Sequence, residues 1–217
     1  MVITWDRLIL VFSKRRNPDD AYLQSILIHN MYTNFYLSMM EQTLEQLKYP
    51  VGKWKWPETV NENEIREAII TIADLPSQLI EAVKGLNDQQ LDTAYRPEGW
   101  TIRQVVHHLA DSHMNAYMRF KLALTEDNPT IKPYDQAKWA ELEDNKAEPM
   151  VSLMIITGVH KRWVDIMQHM AAEDWVKTLK HPEHNRQLVL NMLAMQYAWH
   201  SRHHLQHILQ LRKRGNF

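Results

Sequence analysis

The chain has 217 residues, and its 25 basic and 26 acidic side chains leave a formal net charge of −1 at pH 7. Because there is no basic excess, the composition does not indicate a nucleic acid or an anionic membrane surface as a partner. The sequence contains no cysteine, which excludes disulfides, zinc–thiolate sites and a cysteine nucleophile, so nitrogen and oxygen atoms must supply the ligands of any metal.

Residues 1–39 differ from the rest of the chain, because their short apolar runs are interrupted by KRRNPDD and show no sustained period. The run LILVF is too short to span a membrane, and no small-residue cleavage site follows it. We therefore expect a cytoplasmic protein whose folded domain occupies 40–217. Residues 1–39 are predicted to form an N-terminal extension outside this fold, for which disorder is one option and a genuine N-terminal helix is the alternative.

Four amphipathic patterns follow in chain order, and each predicts an α-helix. The predicted helices cover about 61–85, 102–125, 150–172 and 187–213. The second is expected to begin after Thr101, which forms a T-x-x-Q capping box with Gln104, whereas Pro76 should kink or interrupt the first. No period-2 alternation of comparable strength predicts a β-strand, so the expected fold is an all-α four-helix bundle.

The connection between the second and third predicted helices is long for a four-helix bundle. It spans roughly 126–149 and contains Pro129, Pro133 and Pro149. Connections of this length are usually functional, so we expect it to cross the bundle or to cover a site.

The last predicted helix contains the stretch WHSRHHLQHI (199–208), in which two i, i+4 pairs of histidines compete for the inward face. His200 and His204 lie in the middle of an apolar stripe, whereas His203 lies on a more polar stripe and His207 on the shoulder of the apolar face. Periodicity therefore favours His200 and His204 as the inward pair and predicts a peripheral position for His203. Two imidazoles one turn apart can bind a single cation, although hydrogen-bonded core histidines are the alternative.

A third metal ligand would have to come from another helix, and periodicity leaves three histidines open. His108 lies on the shoulder of the second helix, His113 lies on its apolar stripe, and His160 shares an apolar face of the third helix. His107 points away from the apolar face. His113 is the best candidate for a hydrogen-bonded core histidine and His160 fits either role, so the pattern alone does not choose among the three.

Several motifs occur in a set order along the chain. They are YPVGKW (49–54), GWTIRQVVHHLADSHMNAYMRFKLALTE (99–126), IKPYDQAKWAEL (131–142) and YAWHSRHHLQHI (197–208). Together they resemble the DinB/YfiT superfamily, and specifically its YfiT-type members, over about 40–217. The resemblance implies a four-helix bundle with a mirror variant of the up-and-down topology.

The resemblance also implies a divalent metal ion, bound by one histidine of the second helix and an i, i+4 pair of the fourth. These positions map to His108, His200 and His204, and zinc or nickel suits such all-histidine ligation. The implied activity is that of a metal-dependent hydrolase, or of an S-transferase that joins a thiol of the bacillithiol type to a small electrophile. We expect a small-molecule substrate and a homodimer, and a non-catalytic metal-binding or stress-induced structural bundle is the alternative.

Further side chains could serve such a site, although no pattern identifies a catalytic residue. Asp111 and Asn115 follow His108 at i+3 and i+7, and Arg119 one turn later could bind an anionic group of the substrate. A surface ion pair or a helix cap is the alternative, which we favour for Asp111 and Arg119. His160 remains a candidate for a supporting role, and the loop IKPYDQAKW is expected to line the substrate entrance. No obvious general base accompanies the histidine pair, which favours thiol transfer over hydrolysis on chemical grounds.

Overall fold

The computed structural model describes residues 26–33, 44–183 and 186–217. The chain divides into two compact units, 1–46 and 47–217. In the first unit, residues 26–33 are helical and are labelled α1. The rest of the predicted extension 1–39 lies outside the described residues, so its assignment stays a prediction.

The remainder of the chain confirms the predicted four-helix bundle. In chain order the helices are α2 (44–48), α3 (Glu62–Val83), α4 (Asp88–Leu91), α5 (Ile102–Thr125), α6 (Gln136–Trp139), a 3₁₀ helix (Glu143–Lys146), α7 (Pro149–Gln168) and α8 (Leu190–Gly215). The long helices α3 and α5 each pack extensively against both α7 and α8. The consecutive helices α3 and α5 therefore lie at opposite corners of the bundle. None of the helices within the described ranges combines the length and apolar character that crossing a membrane requires.

Capping residues explain where two of the long helices begin, and α3 continues across a proline. The predicted capping box is confirmed, because the Thr101 hydroxyl accepts from the Gln104 amide at 3.1 Å and the Gln104 side chain accepts from the Thr101 amide at 3.0 Å. Asn61 caps α3 in the same way. The predicted interruption at Pro76 does not occur, because α3 runs from Glu62 to Val83 with Pro76 buried inside it.

The expectation that the chain lacks strands is wrong, because a short hairpin precedes α8. Strand β1 (Thr178–His181) pairs antiparallel with β2 (Arg186–Val189). The pair Leu179 and Leu188 is buried against the core at 0% and 4% exposure. Strands of four residues are too short to show a clear period-2 pattern, and β2 occupies residues that were predicted as the first turn of the last helix.

The hairpin also holds the long connection against the bundle. The Lys180 amide donates to the Pro129 carbonyl at 2.9 Å, and the Ile131 amide donates to the Lys180 carbonyl at 3.0 Å. These two bonds bring the residues that follow Ile131 next to β1. The connection and the hairpin thus lie side by side at one end of α8.

Apolar side chains fill the space between the four long helices. Trp163 and Phe120 anchor one cluster, and Leu109, Leu79 and Ile156 belong to a second, all of them fully buried. Histidines are present within this interior as well. Seven of them belong to the four long helices and are less than 9% exposed: His107, His108, His113, His160, His203, His204 and His207. So many buried polar rings require hydrogen-bond partners or another ligand.

Candidate metal centre

Two of these rings, His108 and His204, meet the partly buried ring of His200 between α5 and α8. One ring nitrogen from each of His108, His200 and His204 lies within 4.8 Å of the other two. The Nε2 atoms of His108 and His200 are 3.2 Å apart. Because a tetrahedral ion with metal–nitrogen bonds of 2.0–2.1 Å holds its ligand nitrogens about 3.3 Å apart, this separation suits two ligands of one ion.

Burial keeps these three imidazoles neutral. It lowers the pKa of His108 to about 4, with a further contribution from His203, and it lowers the pKa of His200 and His204 well below the usual range, assisted by the neighbouring imidazoles. A neutral imidazole retains a lone pair on one ring nitrogen, which is the form that binds a metal. The protonation state of the cluster is therefore the one that cation binding requires.

An aromatic side chain covers the cluster. The Trp100 ring lies 4.6 Å from the His108 ring and is stacked at 6.3 Å from the His204 ring, measured between centroids. Trp100 immediately precedes Thr101, so the cap that starts α5 also places this indole. The sequence pattern did not indicate the contact, because Trp100 stands outside the predicted helix.

His113 and His160 lie behind His200 rather than beside it. The Nε2 atom of His113 is 3.0 Å from Nδ1 of His200, and its Nδ1 atom is 2.8 Å from Nε2 of His160. The Nδ1 atom of His160 lies 2.6 Å from the Ile72 carbonyl oxygen. Both rings are fully buried, at 0% and 1% exposure. Of the three candidates that periodicity left open, His108 therefore belongs to the triad. His113 and His160 belong to a row of hydrogen bonds that connects His200 to the Ile72 carbonyl.

His107 lies away from the triad on another face of α5. It is nonetheless buried, because its ring bridges to α7 and to Ala147, two residues before that helix. Its Nδ1 atom is 2.7 Å from the Ser152 hydroxyl and its Nε2 atom is 3.0 Å from the Ala147 carbonyl oxygen.

The predicted peripheral position of His203 is wrong, since this residue is only 8% exposed. The segment that follows α2 covers this face of α8: the Trp199 indole donates to the Gly52 carbonyl at 3.1 Å, and the Tyr49 ring lies 6.2 Å from the His203 ring. His207 is also buried, and its Nε2–H donates at 3.2 Å to the carbonyl of Lys48, the last residue of α2. Helical periodicity shows which side of α8 is polar, but it cannot show that a segment distant in sequence covers that side.

His203 and His207 form a second close group with His204, again within 4.8 Å. In this group the Nδ1 atoms of all three rings are buried and have no hydrogen-bond partner among the described residues. His204 therefore belongs to both groups. The first group differs because His200 also borders an open cavity.

That cavity has a volume of about 630 Å³, which suits a small molecule. Helix α8 forms one wall with Gln196, Tyr197 and His200, and α5 forms another with Ser112 and Arg119. The remaining lining comes from residues 133–136 of the long connection and from His181 and Glu183 of the hairpin. Tyr134 belongs to the loop IKPYDQAKW, which was expected to line the substrate entrance, and residues 133–136 of that loop do line the cavity. Tyr197 and His181 were not named as site residues.

The remaining predicted residues take different positions near the cavity. The guanidinium of Arg119 donates to the Tyr197 hydroxyl at 3.4 Å and forms no ion pair with a described residue. Asp111 likewise forms no ion pair with a described residue, and burial, followed by the charge of Asp144, raises its pKa to about 6. The Asn115 side chain donates to the Asp111 backbone carbonyl at 2.8 Å within α5.

Tyr134 contributes a hydroxyl that stays protonated at neutral pH. Burial raises its pKa to about 12, and the nearby Tyr197 adds to the effect. A phenol in this state can donate a hydrogen bond into the cavity.

Comparison with known proteins identifies the family of the chain. The model of the DinB superfamily matches residues 71–208. Proteins named "Putative metal-dependent hydrolase" from Bacillus cereus and Bacillus thuringiensis are 50% identical to the chain over 174 residues, which is 80% of this chain and 100% of each relative. Among solved structures, YfiT from Bacillus subtilis, described as "a probable metal-dependent hydrolase with an unusual four-helix bundle topology", has 42% identity and a TM-score of 0.77 and covers 79% of this chain and 99% of its own. The match spans the helices that carry the histidine triad, and the chain belongs to the DinB superfamily.

Proposed function

We propose that the chain is a metal-dependent enzyme in which His108, His200 and His204 bind one divalent ion, zinc or nickel, at the edge of the cavity. The observation that carries this proposal is the convergence of three neutral imidazoles beside an open space, two of them buried and the third, His200, partly buried at the cavity. The nitrogens of His108 and His200 are 3.2 Å apart. No fourth protein ligand joins this group within the described part of the chain. Three protein ligands with an open position are typical of catalytic rather than structural sites.

When bound there, a divalent ion would lower the pKa of a coordinated water or thiol into the neutral range. The protein side chains supply binding and orientation. Arg119 offers an unpaired guanidinium to an anionic group, and Tyr134 offers a hydroxyl donor on the facing wall. The cavity therefore suits a small polar molecule that carries at least one negative charge.

Hydrolysis is the first candidate reaction, because the relatives that match along their whole length are named as hydrolases. The bound ion would supply an activated water for the hydrolysis of an ester or amide, which yields an acid and an alcohol or amine.

Thiol S-transfer is the second candidate, and it is favoured by the chemistry around the triad. The triad itself includes no carboxylate within the described residues, and the Asp135 carboxylate of the cavity accepts hydrogen bonds from the first amides of α6. A thiol ionises more easily than water and needs less help from a general base. A low-molecular-weight thiol of the bacillithiol type and a small electrophile would then be the two substrates.

The metal site is tested by measuring metal content in the purified protein and in His108→Ala, His200→Ala and His204→Ala. We expect about one ion per chain in the wild type and a strong loss in each variant. His107→Ala is the matched control, because it removes a buried histidine from α5 without touching the triad. Stoichiometric metal in all three triad variants would rule out the assignment.

The two reactions are separated by assays on the metal-loaded protein. Conjugation of monochlorobimane that requires both a thiol and the metal supports S-transfer. Cleavage of esters or amides without any thiol supports hydrolysis. Neither activity in a metal-loaded protein would favour a non-catalytic metal-binding bundle.

We further propose a cytoplasmic homodimer. An apolar strip on the outer face of α7 supports self-association: Met150, Val151, Met154 and Ile155 are each at least 40% exposed. Their i, i+1, i+4, i+5 spacing places them together on one side of the helix. Exposed apolar patches of this kind often mark protein interfaces.

A further inference from the structure

Behind the proposed metal ligand His200 lies a hydrogen-bonded row that joins all four long helices. It runs from His200 of α8 to His113 of α5, then to His160 of α7, and it ends on the Ile72 carbonyl of α3. The three separations are 3.0, 2.8 and 2.6 Å in that order. Ile72, His113 and His160 are at most 1% exposed, so water does not compete for these bonds.

A proline explains why the row can end on a backbone carbonyl. In an uninterrupted α-helix the carbonyl of residue 72 would accept from the amide of residue 76. Position 76 is Pro76, which has no N–H, so the buried Ile72 carbonyl lacks its helical donor. The Nδ1 atom of His160 takes that place. Pro76 thus leaves the Ile72 carbonyl free to accept a hydrogen bond at the point where α7 packs on α3.

The Ile72 carbonyl at the end of the row determines which ring nitrogen carries the proton in each of the three histidines. A carbonyl only accepts, so His160 must carry its proton on Nδ1, and its Nε2 is then an acceptor if the ring is neutral. His113 must in turn donate from Nδ1 and accept at Nε2. His200 must therefore donate from Nδ1, which leaves its Nε2 with a lone pair.

The neutral state of the rings follows from their surroundings. Both rings are at most 1% exposed, and no carboxylate of a described residue forms an ion pair with either of them, so nothing nearby stabilises a positive charge on the rings. The opposite arrangement of protons would turn a lone pair of His160 towards the Ile72 oxygen and leave that carbonyl without a donor. Only one arrangement satisfies all the buried groups.

We infer that Pro76, the Ile72 carbonyl, His160 and His113 form a positioning array that holds His200 as its Nδ1–H tautomer, with the unprotonated Nε2 directed at the triad. The relevance of the array to metal binding rests on the proposed function, whereas the tautomer itself does not. Metal-ligating histidines commonly donate the N–H of their second ring nitrogen directly to one carboxylate or carbonyl oxygen. Here the terminal acceptor is two imidazoles away, so its influence reaches His200 only through His160 and His113.

The first test reads the tautomers directly in the metal-free wild-type protein. Long-range ¹H–¹⁵N correlation spectra distinguish the two nitrogens of each ring, and the spectrum of His200→Gln assigns the His200 signals. We expect His200, His113 and His160 all to be protonated on Nδ1 alone. A His200 ring protonated on Nε2, or an even mixture of tautomers, would overturn the inference.

The second test removes the middle of the row with His113→Leu, which is similar in volume but offers no acceptor. We expect the Nδ1–H tautomer of His200 to lose its preference and the affinity for Zn²⁺, measured by calorimetry, to fall by about 10- to 100-fold. His107→Leu is the control, because His107 is buried on the same helix and also bonds a backbone carbonyl. It should leave the tautomer unchanged and the affinity within about twofold.

The end of the row is tested with a disruptive and a conservative variant of one residue. His160→Leu should weaken Zn²⁺ binding in the same direction as His113→Leu. His160→Gln should restore most of the affinity, because its amide can donate to Ile72 and accept from His113. Equal loss in the two variants would overturn the role of the row, since a purely structural contribution does not depend on that donor and acceptor.

The outcomes separate the array from the proposed function. A wild-type protein that shows the expected tautomers but binds no divalent metal supports the array and contradicts the metal site. A protein that binds metal normally, with His200 in the other tautomer or with an affinity indifferent to His113→Leu, contradicts the array alone.

Discussion

The Nε2 atoms of His108 and His200 lie 3.2 Å apart although 92 positions separate the two residues in the chain. Helix α5 brings one ring and α8 brings the other, and both rings are kept neutral by burial. Without a cation or a proton between them, two lone pairs at this distance repel each other. The relationship between these residues therefore determines how the protein should respond to metal, pH and substitution.

Removal of divalent metal should lower the melting temperature. An ion that binds only the folded state at a concentration of 100 times its Kd adds about 2.7 kcal/mol to the free energy of unfolding. For a domain of this size that corresponds to roughly 5 to 10 °C, measured by calorimetry with zinc and with a chelator. His200→Ala should melt at the same temperature under both conditions, and a shift of equal size in that variant would contradict the triad.

The metal-free protein should become less stable as the pH falls below 6.5. Burial lowers the pKa of His108 and His160 to about 4 from an ordinary value of 6.5. Between these values the unfolded chain binds more protons than the folded one, so the free energy of unfolding decreases as the pH decreases, by about 1.4 kcal/mol per pH unit for each such histidine. Urea denaturation at pH 7.5, 6.5 and 5.5 measures this slope. His160→Gln should reduce the slope by about the contribution of one histidine. A free energy of unfolding that does not change with pH would show that these rings already bind protons in the folded state.

Arg103 should contribute more to stability than an ordinary surface arginine. Its side chain is 8% exposed and contacts Asp92 at 2.6 Å and Asp88 at 2.8 Å, which raises its pKa and joins α4 to α5. Because both carboxylates remain largely exposed, we expect Arg103→Met to cost about 1–3 kcal/mol in chemical denaturation. The matched control is Arg66→Met, whose ion pair with Glu62 is exposed on both sides and should be worth at most about 0.5 kcal/mol. Equal effects of the two substitutions would show that burial adds nothing to the Arg103 pairs.

Arg119 should decide the preference of the cavity for anionic substrates. Its guanidinium faces the cavity without an ion pair among the described residues, so a substrate carboxylate or phosphate would be its partner. We expect Arg119→Met to raise KM for an anionic substrate about tenfold and to leave an uncharged analogue nearly unaffected, as measured by steady-state kinetics. Arg202→Met serves as the control, since Arg202 bonds the Thr71 hydroxyl outside the cavity. A similar loss for charged and uncharged substrates would assign Arg119 a structural role.

A charge on the outer face of α7 should disrupt the homodimer. Met154 is 62% exposed, and Met150 and Val151 lie beside it on the same face. Light scattering coupled to gel filtration should find a dimer for the wild type and a monomer for Met154→Lys, because burying an unpaired ammonium is unfavourable. Met118→Lys on α5 is the control, and it should remain dimeric. A dimer that tolerates Met154→Lys places the interface elsewhere.

The amino-acid sequence by itself determined the features that depend on local spacing. The i, i+4 period of α8 identified His200 and His204, and the capping box of Thr101 placed the start of α5, because both depend on residues within one helical turn. The sequence also placed Pro76 inside the first predicted helix, but it did not indicate that this proline leaves the Ile72 carbonyl free for His160. The four-helix architecture followed from the lengths of four amphipathic patterns.

Tertiary structure decided the roles that depend on contacts between distant elements. It assigned His108 to the triad and His113 to the row behind it, a distinction that periodicity left open because both residues lie near the inner face of α5. It buried His203 under a segment about 150 residues earlier in the chain. At Pro76, where a kink or break was expected, the helix continues and the Ile72 carbonyl accepts from His160. The physical reason is that a helical pattern specifies which side of a helix is apolar, whereas the partner of a polar ring depends on which groups of the other helices remain unsatisfied at that point.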